Sequence, residues 1–292
     1  PATWHLITRT EVLTGDSARA AQMRARYRQL RGVAVEDMPL LPRRDVPDLL
    51  LTPPVSAKAA KTLHAAQVLF AKGPGQGPAV PPPGAIPKQI FSYWEGERSA
   101  PLAQIAQSWA RLHPNWTWRS FEAASARDWL NRAGDAQADT VRAAFDAAGS
   151  PAQRADILRL ALLAREGGLY VDLDDLPRAP VDDMLNGADL VVVQETGLGA
   201  LANSFLAAAP GHPMIQAALD QALKAPPTEG VETWLLTGPG LLARTWVDLL
   251  EMAPDALSSA RRVPWTGFCA LVSPNLKLPH KYRDDYWRTA DG

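Results

Sequence analysis

Cysteine is nearly absent from this chain of 292 residues, Cys269 being the only one. A lone thiol excludes an intramolecular disulfide framework and any cysteine-rich zinc site, and it suits a reducing compartment as the place of action. Histidine is also scarce. Of five in all, His5 and His64 fall in the N-terminal quarter, which argues against a two-ion phosphoesterase or nuclease centre built on several imidazoles. Long apolar runs are missing, and nothing approaches the ~18 consecutive apolar residues of a membrane span. The first residues lack a signal peptide's basic-then-apolar pattern. The chain opens on Pro1, which is compatible with excision from a longer one. No charge sign is in excess: 30 Lys+Arg against 31 Asp+Glu leave a net charge of −1, so a globally basic nucleic-acid binder is excluded.

What is present suits a folded chain. A hydrophobic share of 47% with 21% charged residues can build a sizeable core, in one large domain or one domain with a small companion. The charge is uneven along the chain. Residues 1–72 carry 11 Lys+Arg against 6 Asp+Glu, and residues 73–292 carry 19 against 25. A basic arm on an acidic body fits contact with an anionic surface, and equally a solvated helix with scattered arginines. Residues 16–31 have helical spacing in Ala20, Met23, Tyr27 and Leu30, with Arg19, Arg24, Arg26 and Arg28 off that stripe and Gly32 as the stop. A second short helix is expected from Ser56, with Leu63 and Phe70 on one side. Proline is dense around it: 11 of 26 lie between Pro39 and Pro87. The run GPGQGPAVPPPGAIP over 73–87 is incompatible with a helix interior or a central strand. The expected organisation is a basic helical segment over 1–72, a Pro/Gly-rich linker over 73–85 and a body over 86–292.

Strand and helix signals alternate within the body. Strands are predicted at Gln89–Trp94, Trp116–Ser120, Leu169–Leu173 and Asp189–Gln194, and helices at 122–132, 137–148, 151–166, 212–224 and 239–252. Such alternation predicts an α/β domain with helices flanking a mostly parallel sheet. The helix at 151–166 is the best specified. Ser150 is its N-cap, Pro151 its first residue, and Gln153 completes a capping box of the S-x-x-Q type. Gly167 and Gly168 end it. Its middle, ILRLALLA, is apolar nearly all round, yet Asp156 and Arg159 are embedded three residues apart on one face. They either pair with each other at a wet edge or face a polar ligand pocket.

GGLYVDLDD comes directly after this helix. On a strand, residues two apart point the same way, so Asp172 and Asp174 are expected to present their carboxylates to one side. The two repel each other unless a positive charge lies between them. A hard divalent cation with oxygen ligands, Mg²⁺ or Mn²⁺, supplies that charge while keeping waters and bridging to phosphates.

The order Asp156-Ile-Leu-Arg159, then Gly167-Gly168-Leu169-Tyr170-Val171-Asp172-Leu173-Asp174, resembles the DXD "sugar-binding region" glycosyltransferases. That family includes fungal initiating mannosyltransferases and bacterial capsule enzymes, and the catalytic domains of the large clostridial glucosylating toxins are similar. Ile86-Pro87-Lys88-Gln89-Ile90-Phe91-Ser92-Tyr93-Trp94 resembles the family's opening strand. His113-Pro114-Asn115-Trp116, Asn203 with Gly211-His212-Pro213, and Thr237-Gly238-Pro239 match further segments. The likeness covers roughly residues 86–292 and leaves 1–85 unmatched.

The resemblance implies a GT-A fold and a retaining, metal-dependent transferase that moves a hexose or N-acetylhexosamine from a nucleotide sugar, a UDP-sugar ahead of GDP-mannose. Trp94 would stack on the nucleobase, although a core tryptophan is the alternative. Asp156 and Arg159 would hold the donor's sugar hydroxyls and nearby phosphate oxygens, and Tyr170 would support them. Asp172 would meet the ribose and metal-bound water, while Asp174 would ligate the Mn²⁺ or Mg²⁺ ion. Asp175 stands where an apolar residue is usual, so the ligand role could be shared between neighbours. Asn203 would reach the sugar or the acceptor side, or else cap a loop. From the tail, Trp287 would close on the diphosphate, Asp285 would add a metal contact, and Lys281, Arg283 and Arg288 would offset charge. Glu195 is the one carboxylate at a strand end suited to a nucleophile, and front-face attack is the favoured route to retention.

The expected acceptor is a hydroxyl of a target protein, such as a small GTPase, with residues 1–72 on an anionic membrane surface. Such an enzyme would be a secreted bacterial effector or toxin acting in a target-cell cytosol. The alternatives are a capsule or cell-wall glycan transferase of a bacterial cytoplasm, and a non-catalytic protein that binds a nucleotide sugar or a partner. No nucleic acid is expected as a partner.

Overall fold

The structure is a computed structural model that describes residues 57–72, 82, 84–134, 136–195, 200–274, 276 and 278. The expected helix at 16–31, the Ser56 cap, most of the 73–85 linker, and Lys281, Arg283, Asp285, Trp287 and Arg288 lie outside the described residues.

Six strands lie side by side in the main sheet. They are β1 (Gln89–Tyr93), β2 (Thr117–Phe121), β3 (Gly168–Val171), β5 (Leu190–Gln194), β6 (Leu201–Ala208) and β7 (Ala260–Pro264), in the order β2-β1-β3-β6-β5-β7. The pairs β1–β2, β1–β3 and β5–β7 are parallel, and β6 alone runs against its neighbours. A two-residue strand, β4 (Leu176–Pro177), pairs with β8 (Val272–Ser273). The expected α/β class with a mostly parallel sheet is what the chain adopts. The antiparallel β6, the strand β7 and the helices Ala100–Leu112 and Gly230–Leu236 have no counterpart among the predicted elements.

Both faces of the sheet are covered, and the period-2 alternation divides its side chains between two apolar layers. Phe91, Tyr170, Leu190, Val192 and Leu206 pack with the helices Pro151–Arg165, Pro213–Ala222 and Pro239–Met252. Ile90, Leu169, Val171, Val191, Val193 and Phe205 pack with Ala100–Leu112 and Trp265–Leu271. The helix Pro151–Arg165 is buried from Asp156 to Ala164, as its apolar middle predicts. Ser150 caps it by accepting from the Gln153 amide at 3.2 Å. The return half of the expected box is absent. The Gln153 side-chain oxygen accepts instead from the Gly149 and Thr228 amides, and its amide donates to the Pro226 carbonyl.

Gly167 and Gly168 are required where the helix turns into β3. Both have positive φ, 66° and 111°. A Cβ on Gly167 would sit 2.6 Å from Pro210 Cδ, and one on Gly168 would sit 2.7 Å from the Gln89 carbonyl oxygen. Only glycine fits both the conformation and the space.

Ahead of the body, the helix Ala57–Lys72 lies against Pro239–Met252 and Gly230–Leu236. Of the stripe expected through Leu63 and Phe70, the Phe70 side chain lies outside the described residues. The residues that bury themselves are Ala59, Thr62, Ala65, Ala66 and Leu69, with Leu63 half-buried. Alanines supply three of these five buried side chains.

Candidate active site

Strand order sets a topological switch point at the carboxyl ends of β1 and β3. The chain leaves β1 for β2 on one side and returns to β3 on the other, which is the switch point where open α/β sheets bind ligands. Trp94 follows β1 and Asp172 follows β3, so the residues expected to meet the donor flank this switch point from two strands.

The strand expected to run to Leu173 stops at Val171. Asp172 to Asp175 form a turn instead, closed by the Asp175 amide donating to the Asp172 carbonyl at 3.1 Å. The Asp172 amide is held by the Ser204 carbonyl of β6 at 2.8 Å. Leu173 and Asp175 turn inward and are buried, whereas Asp172 and Asp174 are partly exposed. Asp172 and Asp174 thus stay partly exposed because of a tight turn with a buried leucine between them, rather than strand alternation. This burial also separates the neighbours: Asp174 lies open and Asp175 does not. Trp109 Nε1 anchors the Asp175 carbonyl at 2.8 Å.

Asp156 is the hub. At 4% exposure it accepts three side-chain hydrogen bonds: Arg159 Nη1 at 2.9 Å, Asn203 Nδ2 at 2.7 Å and Thr237 Oγ1 at 2.9 Å. Arg159 reaches onward with Nη2 to Asp172 at 3.0 Å and stacks 4.3 Å above the Tyr170 ring. The expected pairing of Asp156 with Arg159 thus occurs, but it is buried and extended into a network instead of resting at a wet edge. Burial pushes the Asp156 carboxyl up to about 6, against the pull of the Arg159 charge and the hydrogen bonds from Thr237 and Asn203. Burial opposes charge on Arg159, yet Tyr170, Asp172 and Asp156 together hold its guanidinium above the ordinary value. The buried Tyr170 hydroxyl is raised, first by burial and then by Asp172, and stays neutral.

Asn203, expected either at the sugar or as a loop cap, grips Asp156 from β6. Thr237 had no expected role beyond its place in the matching Thr-Gly-Pro, and that motif was the signal for it. Its hydroxyl also lies 3.2 Å from the Thr233 carbonyl. Gly238 is small because a Cβ there would press within 3.3 Å of Asn203 Nδ2.

Trp94 keeps both of its expected readings. Its amide donates to the Phe121 carbonyl at 3.0 Å, and its ring packs partly on the second apolar layer while remaining half-exposed. Next to it, Arg154 grips the Glu95 carboxylate with two nitrogens, and Tyr93 donates to the same carboxylate. Burial raises Glu95, but these hydrogen bonds win and hold it below the usual carboxylate range. Glu195 ends β5 partly exposed, its amide on the Ala200 carbonyl at 2.9 Å.

Two matched motifs do structural work. His113 stacks on Trp109 and accepts the Val181 amide at 3.0 Å. His212 accepts the Met214 amide at 3.1 Å as the cap of the helix Pro213–Ala222.

No group of three or more His, Cys, Asp or Glu is placed to hold a metal ion among the described residues. The donors present still fit a hard cation. Asp172 and Asp174 offer carboxylate oxygens from an open turn, and Mg²⁺ or Mn²⁺ completes its shell with water and phosphate oxygens. Asp285, the expected third ligand, lies outside the described residues.

Residues 99–191, which hold Asp156, Arg159, Asp172 and Asp174, match the family model described as "Glycosyltransferase sugar-binding region containing DXD motif". That stretch is similar to a DXD glycosyltransferase sugar-binding region. Over 219 residues the chain is 25% identical to "Mannosyl phosphorylinositol ceramide synthase SUR1" of Saccharomyces cerevisiae, covering 70% of this chain and 50% of the relative. The chain therefore spans about half the length of that relative. Among solved structures it is similar to "PaToxG Glycosyltransferase", with a TM-score of 0.47 and 19% identity over 68% of this chain and 79% of that one. It is similar also to the UDP-bound glycosyltransferase domain from the YGT toxin, with a TM-score of 0.46 and 9% identity over 65% and 80%.

Proposed function

We propose that this chain is a glycosyltransferase that takes a hexose or N-acetylhexosamine from a nucleotide sugar, a UDP-sugar, and passes it to an acceptor hydroxyl with retention at the anomeric carbon. The observation that carries the reading is the Asp156–Arg159–Asp172 chain at the β1/β3 switch point, within the stretch that matches a sugar-binding region. A buried carboxylate fixed by three donors can accept hydrogen bonds from sugar hydroxyls without reorganising. Arg159 holds positive charge where a departing diphosphate gathers negative charge. Trp94 offers its half-exposed face to the base. Asp172 and Asp174 would hold Mn²⁺ or Mg²⁺, whose chemistry is to offset the diphosphate's charge as the glycosidic bond breaks. Retention follows from front-face attack, the acceptor entering on the side the diphosphate leaves. Glu195 lies at the end of β5, with β6 between it and β3, which does not favour it as a covalent nucleophile.

The acceptor in this proposal is a protein hydroxyl, such as that of a small GTPase. The enzyme would be a secreted bacterial effector acting in a target-cell cytosol, with residues 1–72 on an anionic membrane. A second reading, GDP-mannose as donor to a glycan or glycolipid, is favoured by the match to a protein named for mannosylation of phosphorylinositol ceramide.

Purified protein incubated with Mn²⁺ and a panel of UDP- and GDP-sugars, with release of free nucleotide diphosphate followed, tests the proposal. Turnover of one donor that is lost in Asp172→Asn and Asp174→Asn supports it and selects between UDP and GDP. No turnover and no calorimetric binding of any donor overturns it.

A further inference from the structure

The sequence divides residues 1–72 from the body, yet their last helix is wedged against the two segments that grip Asp156. Ala59 and Ala66 of Ala57–Lys72 share one apolar cluster with Ala200 and Leu235, joined by Leu63, Trp234 and Leu236. Ala200 lies three residues before Asn203, and Leu235 two residues before Thr237, so both side-chain donors from outside the Asp156 helix emerge from this cluster. A buried polar link runs through it as well. Arg244 Nη1 donates to the Thr62 hydroxyl at 2.6 Å and to the Leu235 carbonyl at 2.8 Å, while Thr62 donates in turn to the Lys58 carbonyl. Arg244 is 4% exposed. Other bonds tie the same helix down. Lys61 pairs with Asp248 at 2.8 Å, and Gln194 of β5 donates to the Leu69 carbonyl at 2.9 Å.

We propose that the helix Ala57–Lys72 is a positioning element of the donor site, acting through Thr62 and Arg244, which together set the turn from which Thr237 grips Asp156. The inference rests on the transferase reading above. A buried guanidinium shared between a hydroxyl and a carbonyl has little freedom, because releasing either bond leaves a polar group unpaired away from water. Arg244 therefore fixes the distance between the helix and the Leu235–Thr237 segment. The catalytic unit begins no later than this helix, and a boundary at residue 86 would remove part of the donor site's support.

The test uses the full chain and the donor turned over by the parent protein. Thr62→Val keeps the side chain's shape and removes the hydroxyl, and Thr62→Ser restores the hydroxyl. A positioning role predicts that Thr62→Val lowers kcat roughly five- to tenfold, the size of one hydrogen bond, with UDP affinity unchanged within about twofold and Thr62→Ser near the parent. It further predicts non-additivity: once Thr237→Val has removed the grip on Asp156, adding Thr62→Val lowers kcat by less than about twofold. Circular dichroism at the assay temperature verifies that each variant is folded. Equal kcat in Thr62→Val and parent, losses that track only the folded fraction, or fully additive losses in the double variant each overturn the proposal. A parent protein that turns over no donor fails at the transferase reading instead, before any variant is made.

Discussion

Thr237→Val should move the acidic limb of the activity profile, and the geometry sets by how much. Thr237 donates to Asp156 Oδ2 at 2.9 Å, and this bond favours the ionised carboxylate, opposing the burial that raises it to about 6. A hydrogen bond to a buried charge is worth about 1.5–3 kcal/mol, and one pKa unit corresponds to about 1.4 kcal/mol. Valine preserves the volume and removes the donor, so the Asp156 pKa should rise by about one to two units, from about 6 towards 7 or 8. The donor sugar is held by the ionised form, so kcat/KM in the parent should fall as pH drops through about 6. In Thr237→Val the fall should begin near neutrality, while Thr237→Ser should restore the parental profile. Initial rates of nucleotide diphosphate release over roughly pH 5 to 9, with donor well below its KM, measure the acidic limb in each protein. An acidic limb that stays in place or moves to lower pH would refute the reasoning.

The same geometry sets four other outcomes. The folded pKa of Asp156 lies above the ordinary value of 3.8, so the folded chain keeps a proton that the unfolded chain releases. Its contribution to stability is largest below about pH 4 and falls by about 3 kcal/mol as pH rises to about 6. Urea titrations should show that Asp156→Asn removes this slope, and an identical slope in the variant would contradict it. Asp174→Asn should cut donor turnover at least tenfold and weaken its dependence on Mn²⁺, with little change in Tm because the side chain is partly exposed. Full activity of this variant at limiting metal would remove Asp174 from the cation site. Gly167→Ala should cost about 2 kcal/mol or more, from the positive φ and the 2.6 Å approach to Pro210 together. A melting curve within a degree of the parent would show that the backbone yields there. Trp94→Ala should weaken UDP binding by about 1–3 kcal/mol, the scale of base stacking, read by calorimetry. Unchanged affinity would leave Trp94 to the core.

Much of the fold is legible because its signals are local. The helix Pro239–Met252 starts at a proline and follows a plain apolar period, so its bounds coincide with the expected 239–252. Ser150 and Pro151 mark their helix start by chemistry confined to a few residues. β6 escaped because LANSFLAA mixes alanine with polar residues and has no strand alternation; its pairing with β3 and β5 makes it a strand. The site divides in the same way. Asp156, Arg159, Asp172 and Asp174 lie in one short stretch with a specific motif. Thr237 and Asn203 reach Asp156 from 81 and 47 residues away.

By itself, the sequence determined the α/β class, the glycine pair that only glycine can fill, and the charged residues set within an apolar helix. Each depends on backbone sterics or periodicity within a few residues. Tertiary structure alone decided that the D-x-D carboxylates sit on a turn, that Asp156 is buried among three donors, and that a helix ahead of the proline run braces two of the segments holding them. Those outcomes depend on which distant segments share a cluster and exclude water. Burial is a property of the packed whole, and no local pattern encodes it.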